Sequence, residues 1–326
     1  MSRAMQSVIQ QYLFLTSMFL SSNSFYFPTF DAKCKFAGQQ HTTFWAGGTV
    51  AGTVEYTDSE HTEWNITHIG AELHGRIEFK TNVWEKKRRR GYTFSDKRFI
   101  FRSAIDSKDF LSTTGNYSWP FTFRLSKFLP PTIKQTHSKS AELMYFILLT
   151  FERPSWYRAN IRKQCYIDIQ HLSSFTNAKK VEEQKTNRKG VHLHVILHKN
   201  IVAVGKNISL EVNLRNPKKK LIRRIIATLF QIVSGGCITK ERAVLNQQNL
   251  KGIDSFRGET FHQQLELPVS LKAASTWAAD SSNGFLKCKP LVVSHKLQVE
   301  ADIRGFYTNI RLELPITIIY TNETQN

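Results

Sequence analysis

The sequence predicts an all-β protein built as two tandem antiparallel β-sandwiches, and three observations carry that prediction. Apolar and polar residues alternate repeatedly from residue 44 onward, the period of half-buried strands. No stretch sustains the 3.6-residue period of an amphipathic helix. The plan of the first half returns in the second at matching spacing. Without helices to cover a parallel sheet, such strands bury their apolar faces by packing one antiparallel sheet on another. A chain of 326 residues gives two domains of ordinary size.

Residues 1–27 read as an N-terminal extension with some signal-peptide character: Arg3, an apolar run at 12–20, then small polar residues at 21–24. The run is too short to span a bilayer and is broken by Thr16 and Ser17. The first domain is expected at 28–172. In it Val50, Gly52, Val54 and Tyr56 share one face of a strand. After a polar turn at 57–65, Ile69, Ala71, Leu73, Gly75, Ile77 and Phe79 share the core face of a long strand, while Glu72, His74, Arg76, Glu78 and Lys80 point to a wet side. Trp119, Phe121, Phe123 and Leu125 alternate ahead of Pro130 and Pro131, and Leu143, Tyr145, Ile147, Leu149 and Phe151 follow. A polar stretch of mixed charge at 173–190 reads as a linker. The second domain, 191–320, is expected to carry strands at 191–197, 208–214, 222–233, 265–271, 297–303 and 310–318, with a tail at 321–326.

The repeat is detailed. Gly48, ahead of Val50, is followed 21 residues on by Ile69-Gly-Ala-Glu-Leu73; Gly205, ahead of Ile208, is followed 21 residues on by Ile226-Ala-Thr-Leu-Phe230. Each half then has a Pro-marked strand, Trp119 to Leu125 in one and Leu265 to Pro268 in the other, before a long alternating strand. A duplicated sandwich accounts for this.

Composition is globular: 41% apolar, 12% aromatic and 22% charged, which excludes a collagen, a disordered acidic tail or a coiled coil. The formal charge of +19 favours an anionic partner. It is spread as +8 over residues 1–170 and +11 over 171–326, unlike the basic arm of many DNA binders, and no nucleic-acid partner is expected. Two runs concentrate it. Lys86, Lys87, Arg88, Arg89 and Arg90 are expected to cap a hairpin, where arginine forks suit phosphate. Lys218, Lys219 and Lys220, with Arg223 and Arg224, follow the Asn216-Pro217 turn. Both are candidate sites for anionic lipid or phosphate, and both also have the composition of an ordinary solvated turn.

Cys34, Cys165, Cys237 and Cys288 form no CxxC pair and read as single buried thiols, although an even count also allows two disulfides. Four sequons, at Asn65, Asn116, Asn207 and Asn322, have meaning only in a secreted chain. His192 and His194 lie on the wet face of a strand whose core face is Val191, Leu193, Val195 and Leu197, with His198 just beyond; no carboxylate or Cys is expected in register, so no metal site is assigned. There is no G-x-S-x-G, H-E-x-x-H, P-loop or G-x-G-x-x-G, and neither an enzyme nor a cofactor is expected.

These residues resemble the arrestin fold, and within it the arrestin-domain-containing (alpha-arrestin) branch. The first half is similar to the N-terminal domain through Gly48 with Val50, Gly52 and Val54, the G-x-Y-x-W-P-F-x-F-x-L run at 115–125, the Leu129-Pro-Pro131 turn, and Y-x-I-x-x-x-x-E-R-P at 145–154. The second half is similar to the C-terminal domain through Gly205 with Ile208, the turn holding Asn216 and residues 218–220, Ile226 to Gln231, Leu267-Pro268 and Leu314-Pro-Ile316. The resemblance covers about residues 40–320. It implies two arrestin-type, immunoglobulin-like antiparallel sandwiches and a non-catalytic cytoplasmic adaptor. Such an adaptor works peripherally at the plasma membrane or endosomes, holding cytosolic tails of membrane proteins, phosphorylated ones included, in endocytic sorting, transport and signalling. Members of that branch carry PPxY motifs for WW-domain ubiquitin ligases; this chain has none, which argues against that direct contact. The alternative is a secreted or surface β-sandwich binding module stabilised by glycans and disulfides.

Overall fold

A computed structural model describes residues 32–37, 42–57, 68–85, 88–104, 116–135, 141–152, 160–172, 177–236, 238–278, 289–305 and 309–321. In the first half β1 (Ala32–Phe36), β3 (Thr49–Thr57) and β6 (Asn116–Arg124) form a three-stranded sheet in the order β1-β3-β6. It faces a five-stranded sheet in the order β2-β8-β7-β4-β5, made of β2 (Thr43–Trp45), β4 (His68–Glu85), β5 (Arg88–Ala104), β7 (Glu142–Glu152) and β8 (Ile161–Gln170). All pairs are antiparallel except β2, which lies parallel to β8.

The second half repeats the plan. β9 (Val181–Thr186), β10 (His192–Leu197), β12 (Asn207–Arg215) and β15 (Thr260–Pro268) make one sheet in the order β15-β12-β10-β9. The other runs β11-β18-β17-β13-β14, from β11 (Ile201–Ala203), β13 (Ile222–Gly236), β14 (Ile238–Asn249), β17 (Lys289–Ile303) and β18 (Ile310–Ile319), with β16 (Trp277–Ala278) against β17. The short parallel partner recurs too, as β11 on β18. Among the described residues no helix is long and apolar enough to cross a membrane.

Period-two alternation explains the cores. Val50, Val54, Ile69, Leu73, Phe121, Leu143, Ile147 and Phe151 point inward in the first domain, and Leu193, Leu210, Leu229, Leu267, Leu297 and Leu314 do so in the second. Tyr145 brings a hydroxyl into the first core and donates it to the Pro130 carbonyl at 2.9 Å, which also buries the Pro130-Pro131 turn inside the domain. Burial drives the Tyr145 phenol's pKa far above its usual range.

Several expectations differ from the structure. A third of the expected linker is a strand: β9 pairs along the whole of β10, which its polar composition Val-Glu-Glu-Gln-Lys-Thr did not announce because it is an edge strand with every side chain but Val181 in water. The strand expected at 265–271 runs instead over β15 and ends at Pro268, leaving Leu271 68% exposed. His74 does project from the face opposite the core, yet it is buried, because Phe146 of β7 stacks on its ring at 5.3 Å and Glu72 accepts its Nε2 bond at 2.9 Å. Gly52 faces Phe36 in register, and a β-carbon there would sit 2.2 Å from the Lys35 carbonyl, so glycine is what lets β1 close on β3.

Candidate functional site

Four places carry chemistry: the β1 edge, the β4–β5 hairpin, the basic end of the second domain, and the junction between the domains. β1 ends its sheet, pairing only with β3 among the described strands. In the second domain the matching strand, β10, is covered on that side by β9. The two halves therefore differ at one edge. Along β1, Lys33 and Lys35 face outward, and Lys35 meets Glu55 at 2.7 Å. Ala32, Cys34 and Phe36 turn toward the core, Phe36 with its ring against Phe44 at 5.3 Å and Phe121 at 6.1 Å.

The cysteine reading needs correction. Cys34 and Cys165 are joined in a disulfide, not separate thiols. They are 131 residues apart in sequence, and only the packing of β1 over β8 brings them together, so spacing could not pair them. Cys237 and Cys288 lie outside the described residues.

Of the first basic run, Lys86 and Lys87 lie outside the described residues. The backbone of Arg88, Arg89 and Arg90 opens β5, in register with Glu85, Trp84 and Val83, at the end of a long β4–β5 ladder.

The second run is better defined. Asn216 is fully buried and pins its turn: Oδ1 accepts the Lys220 amide at 2.8 Å, while Nδ2 donates to the carbonyls of Lys220 at 2.8 Å and Gly258 at 3.0 Å. Lys219 takes a φ of 47°, and Lys218 and Lys219 project into solvent. Arg223 and Arg224 share Asp302, at 4.0 and 3.6 Å. Sequence-remote bases arrive at the same end. Lys189 donates to the Arg304 carbonyl at 3.0 Å, the Arg304 amide donates to Leu221 at 3.0 Å, and Arg257 lies in the loop whose Phe256 carbonyl receives the Ile222 amide. β18 starts near this end, where Ile310 pairs with Ala301, and runs to the interdomain bridge of Tyr320 with Leu172.

At the junction, Leu172 bridges Tyr320 in parallel, His171 packs on Trp277 with ring centroids 5.9 Å apart, and Val233, Ala274, Leu291 and Val293 join the core of the first domain. Burial pushes the His171 pKa down and, together with the nearby Asp168 charge, pushes the Tyr320 pKa up to about 12. His295 is nearly inaccessible beneath this contact, and burial lowers its pKa to about 3. Gln231 Oε1, which already accepts the Ala274 amide at 3.0 Å, faces His295 Nε2 at 3.4 Å, so Nε2 carries the proton and Thr276 donates to Nδ1 at 2.9 Å. Sequence reasoning placed Asn216 in a turn without seeing that its buried side chain pins that turn, and passed over His295, whose only signal was a lone histidine in an apolar strand.

The histidine strand also needs a correction, because a carboxylate is in reach: Glu182 of β9 accepts from His194 Nε2 at 3.2 Å, and contact with Lys180 and His194 lowers its pKa. Thr186 meets His192 at 2.9 Å. Among the described residues no three potential ligands converge on a metal position.

Comparison with known proteins agrees with this architecture half by half. No curated protein matches the chain. Residues 33–174 match the family model described as Arrestin (or S-antigen), N-terminal domain, and residues 187–323 match Arrestin (or S-antigen), C-terminal domain. With both sandwiches, their order and nearly all the described strands accounted for by these two models, the chain belongs to the arrestin family.

Proposed function

We propose that this protein is a non-catalytic adaptor of the alpha-arrestin kind that holds cytosolic tails of membrane proteins in endocytic sorting. Arrestin domains point to an adaptor or scaffold role in trafficking and signalling, and the observation that carries the finer reading is the asymmetry between the halves. β9 covers β10 in the second domain, whereas among the described strands β1 ends its sheet in the first. An extended tail can add there as a further strand, with main-chain bonds giving affinity and the outward Lys33 and Lys35 favouring acidic or phosphorylated residues. The basic end of the second domain, Lys218, Lys219, Lys220, Arg223 and Arg224, has the charge to meet anionic membrane, as does the run at 86–90 by its composition, and this supports a peripheral role at the plasma membrane or endosomes.

The test is amide exchange on the full chain with synthetic cytosolic-tail peptides, phosphorylated and not, together with co-sedimentation on vesicles containing phosphatidylserine. Peptide-dependent protection of β1 and salt-sensitive sedimentation are expected. If tail peptides bind but protect another segment, the β1 reading is wrong; if none binds, the adaptor reading falls.

The disulfide is a specific observation in favour of the secreted alternative, as is the exposed sequon residue Asn207. Glycosidase-sensitive mass on chain from its native cells decides for that reading, and reduced, unglycosylated chain decides against it.

A further inference from the structure

The disulfide sits on the strand assigned above to tail binding. Cys34 is the central residue of β1, opposite Val54 of β3, and its sulfur is bonded to Cys165 on β8 of the facing sheet. Among the described strands, β1 has one hydrogen-bonded neighbour. It pairs with β3 along one side over five residues, its last turn adds the Ala37 amide to the Ala51 carbonyl at 2.9 Å, and the Phe36 ring packs below. The Lys35–Glu55 pair is exposed and contributes little. A five-residue strand paired along one side among the described strands belongs to the low-stability end of a fold. Both cysteines are half-buried, and their neighbours Lys35 and Tyr166 are open to solvent, Tyr166 by 57%.

We propose that Cys34–Cys165 is a redox latch on the β1 edge. Oxidised, it ties β1 to the facing sheet and presents a fixed template for an incoming strand; reduced, it leaves β1 free to detach from β3. The reductant is a dithiol. One of its thiolates attacks a sulfur of the pair, and the other cysteine leaves as a thiolate and takes up a proton. The second thiol of the reductant then closes its own disulfide and releases the first cysteine. Two electrons and two protons pass from the dithiol to the pair, and the reverse exchange with a disulfide resets the latch. A preorganised template binds more tightly than one that must be ordered, so oxidation raises affinity for a strand partner. That consequence rests on the β1 reading; the latch itself does not.

The experiment is peptide-resolved hydrogen exchange and thiol labelling on the full chain without any partner, before and after dithiothreitol. Reduction is expected to label Cys34 and Cys165 and to speed exchange of β1, and of the β3 amides facing it, by at least ~10-fold, with β7 and β13 unchanged. The double variant Cys34→Ala/Cys165→Ala is expected to show the fast β1 exchange with or without reductant. Three results overturn the latch: cysteines that resist dithiothreitol in the folded chain, reduced cysteines with unchanged β1 exchange, or reduction that speeds exchange throughout the first domain. Because no tail is present, failure here is separate from failure of the tail-binding reading.

Discussion

A side chain on Gly52 has no room. Gly52→Ala sets a β-carbon about where the Lys35 carbonyl and the Phe121 ring edge already are, at 2.2 and 2.9 Å. The expected cost is about 2 kcal/mol or more, seen as a lower urea midpoint and as loss of β1 protection. Asn216→Ala strands the carbonyls of Lys220 and Gly258 and the Lys220 amide in a buried turn, and costs about 2–3 kcal/mol in the same assay. His295 sets a pH dependence. Its folded pKa, about 3, lies below the unfolded value of 6.5, so between those values the unfolded chain binds the extra proton. Its contribution is whole above about pH 6.5 and is lost as pH falls toward 3; from pH 6.5 to 4.5 the loss is about 2–3 kcal/mol. His295→Gln should flatten that part of the profile in urea titrations. A profile equally steep in the variant would assign the acid sensitivity to other groups.

At the scale of elements, alternation along a strand revealed its presence when one face was apolar and concealed it when both faces were wet. β3, β4, β7, β12 and β18 were legible because Val, Ile, Leu and Phe recur every second residue. β9 was not, since Val-Glu-Glu-Gln-Lys-Thr, exposed at every residue but Val181, is a strand only because β10 offers it an edge. The basic turn is an element-scale site as well. Neutralising Lys218, Lys219 and Lys220 to Gln removes three charges from the turn that Asn216 pins. Affinity for phosphatidylserine vesicles should fall by roughly 10- to 100-fold at low salt and the salt slope should shrink, on the basis of about 1 kcal/mol per base near such a surface. Unaltered sedimentation would mean that the turn serves solubility alone.

Across the whole molecule, the two sandwiches do not merely follow one another. Val233, Leu291 and Val293 belong to strands of the second domain yet pack in the first core, and Trp277 lies against His171. Trp277→Ala should cost about 2 kcal/mol, less than a fully buried tryptophan because Trp277 is only half-buried. It should also split a single calorimetric transition into two; one unsplit transition would show that the domains are coupled through other contacts.

The sequence by itself determined the fold class, the duplication and the position of the basic runs, because each depends on local pattern: a period of two, a repeated spacing, a cluster of like charges. The tertiary structure alone decided what those patterns meet. It paired Cys34 with Cys165 across 131 residues, put Glu182 beside His194, drew Lys189 and Arg304 to the Lys218 turn, and, among the described strands, left β1 ending its sheet while β9 covered β10. Each of these joins residues far apart along the chain, and which distant strands become neighbours is set by packing one sheet on another, a choice that no local window of sequence contains.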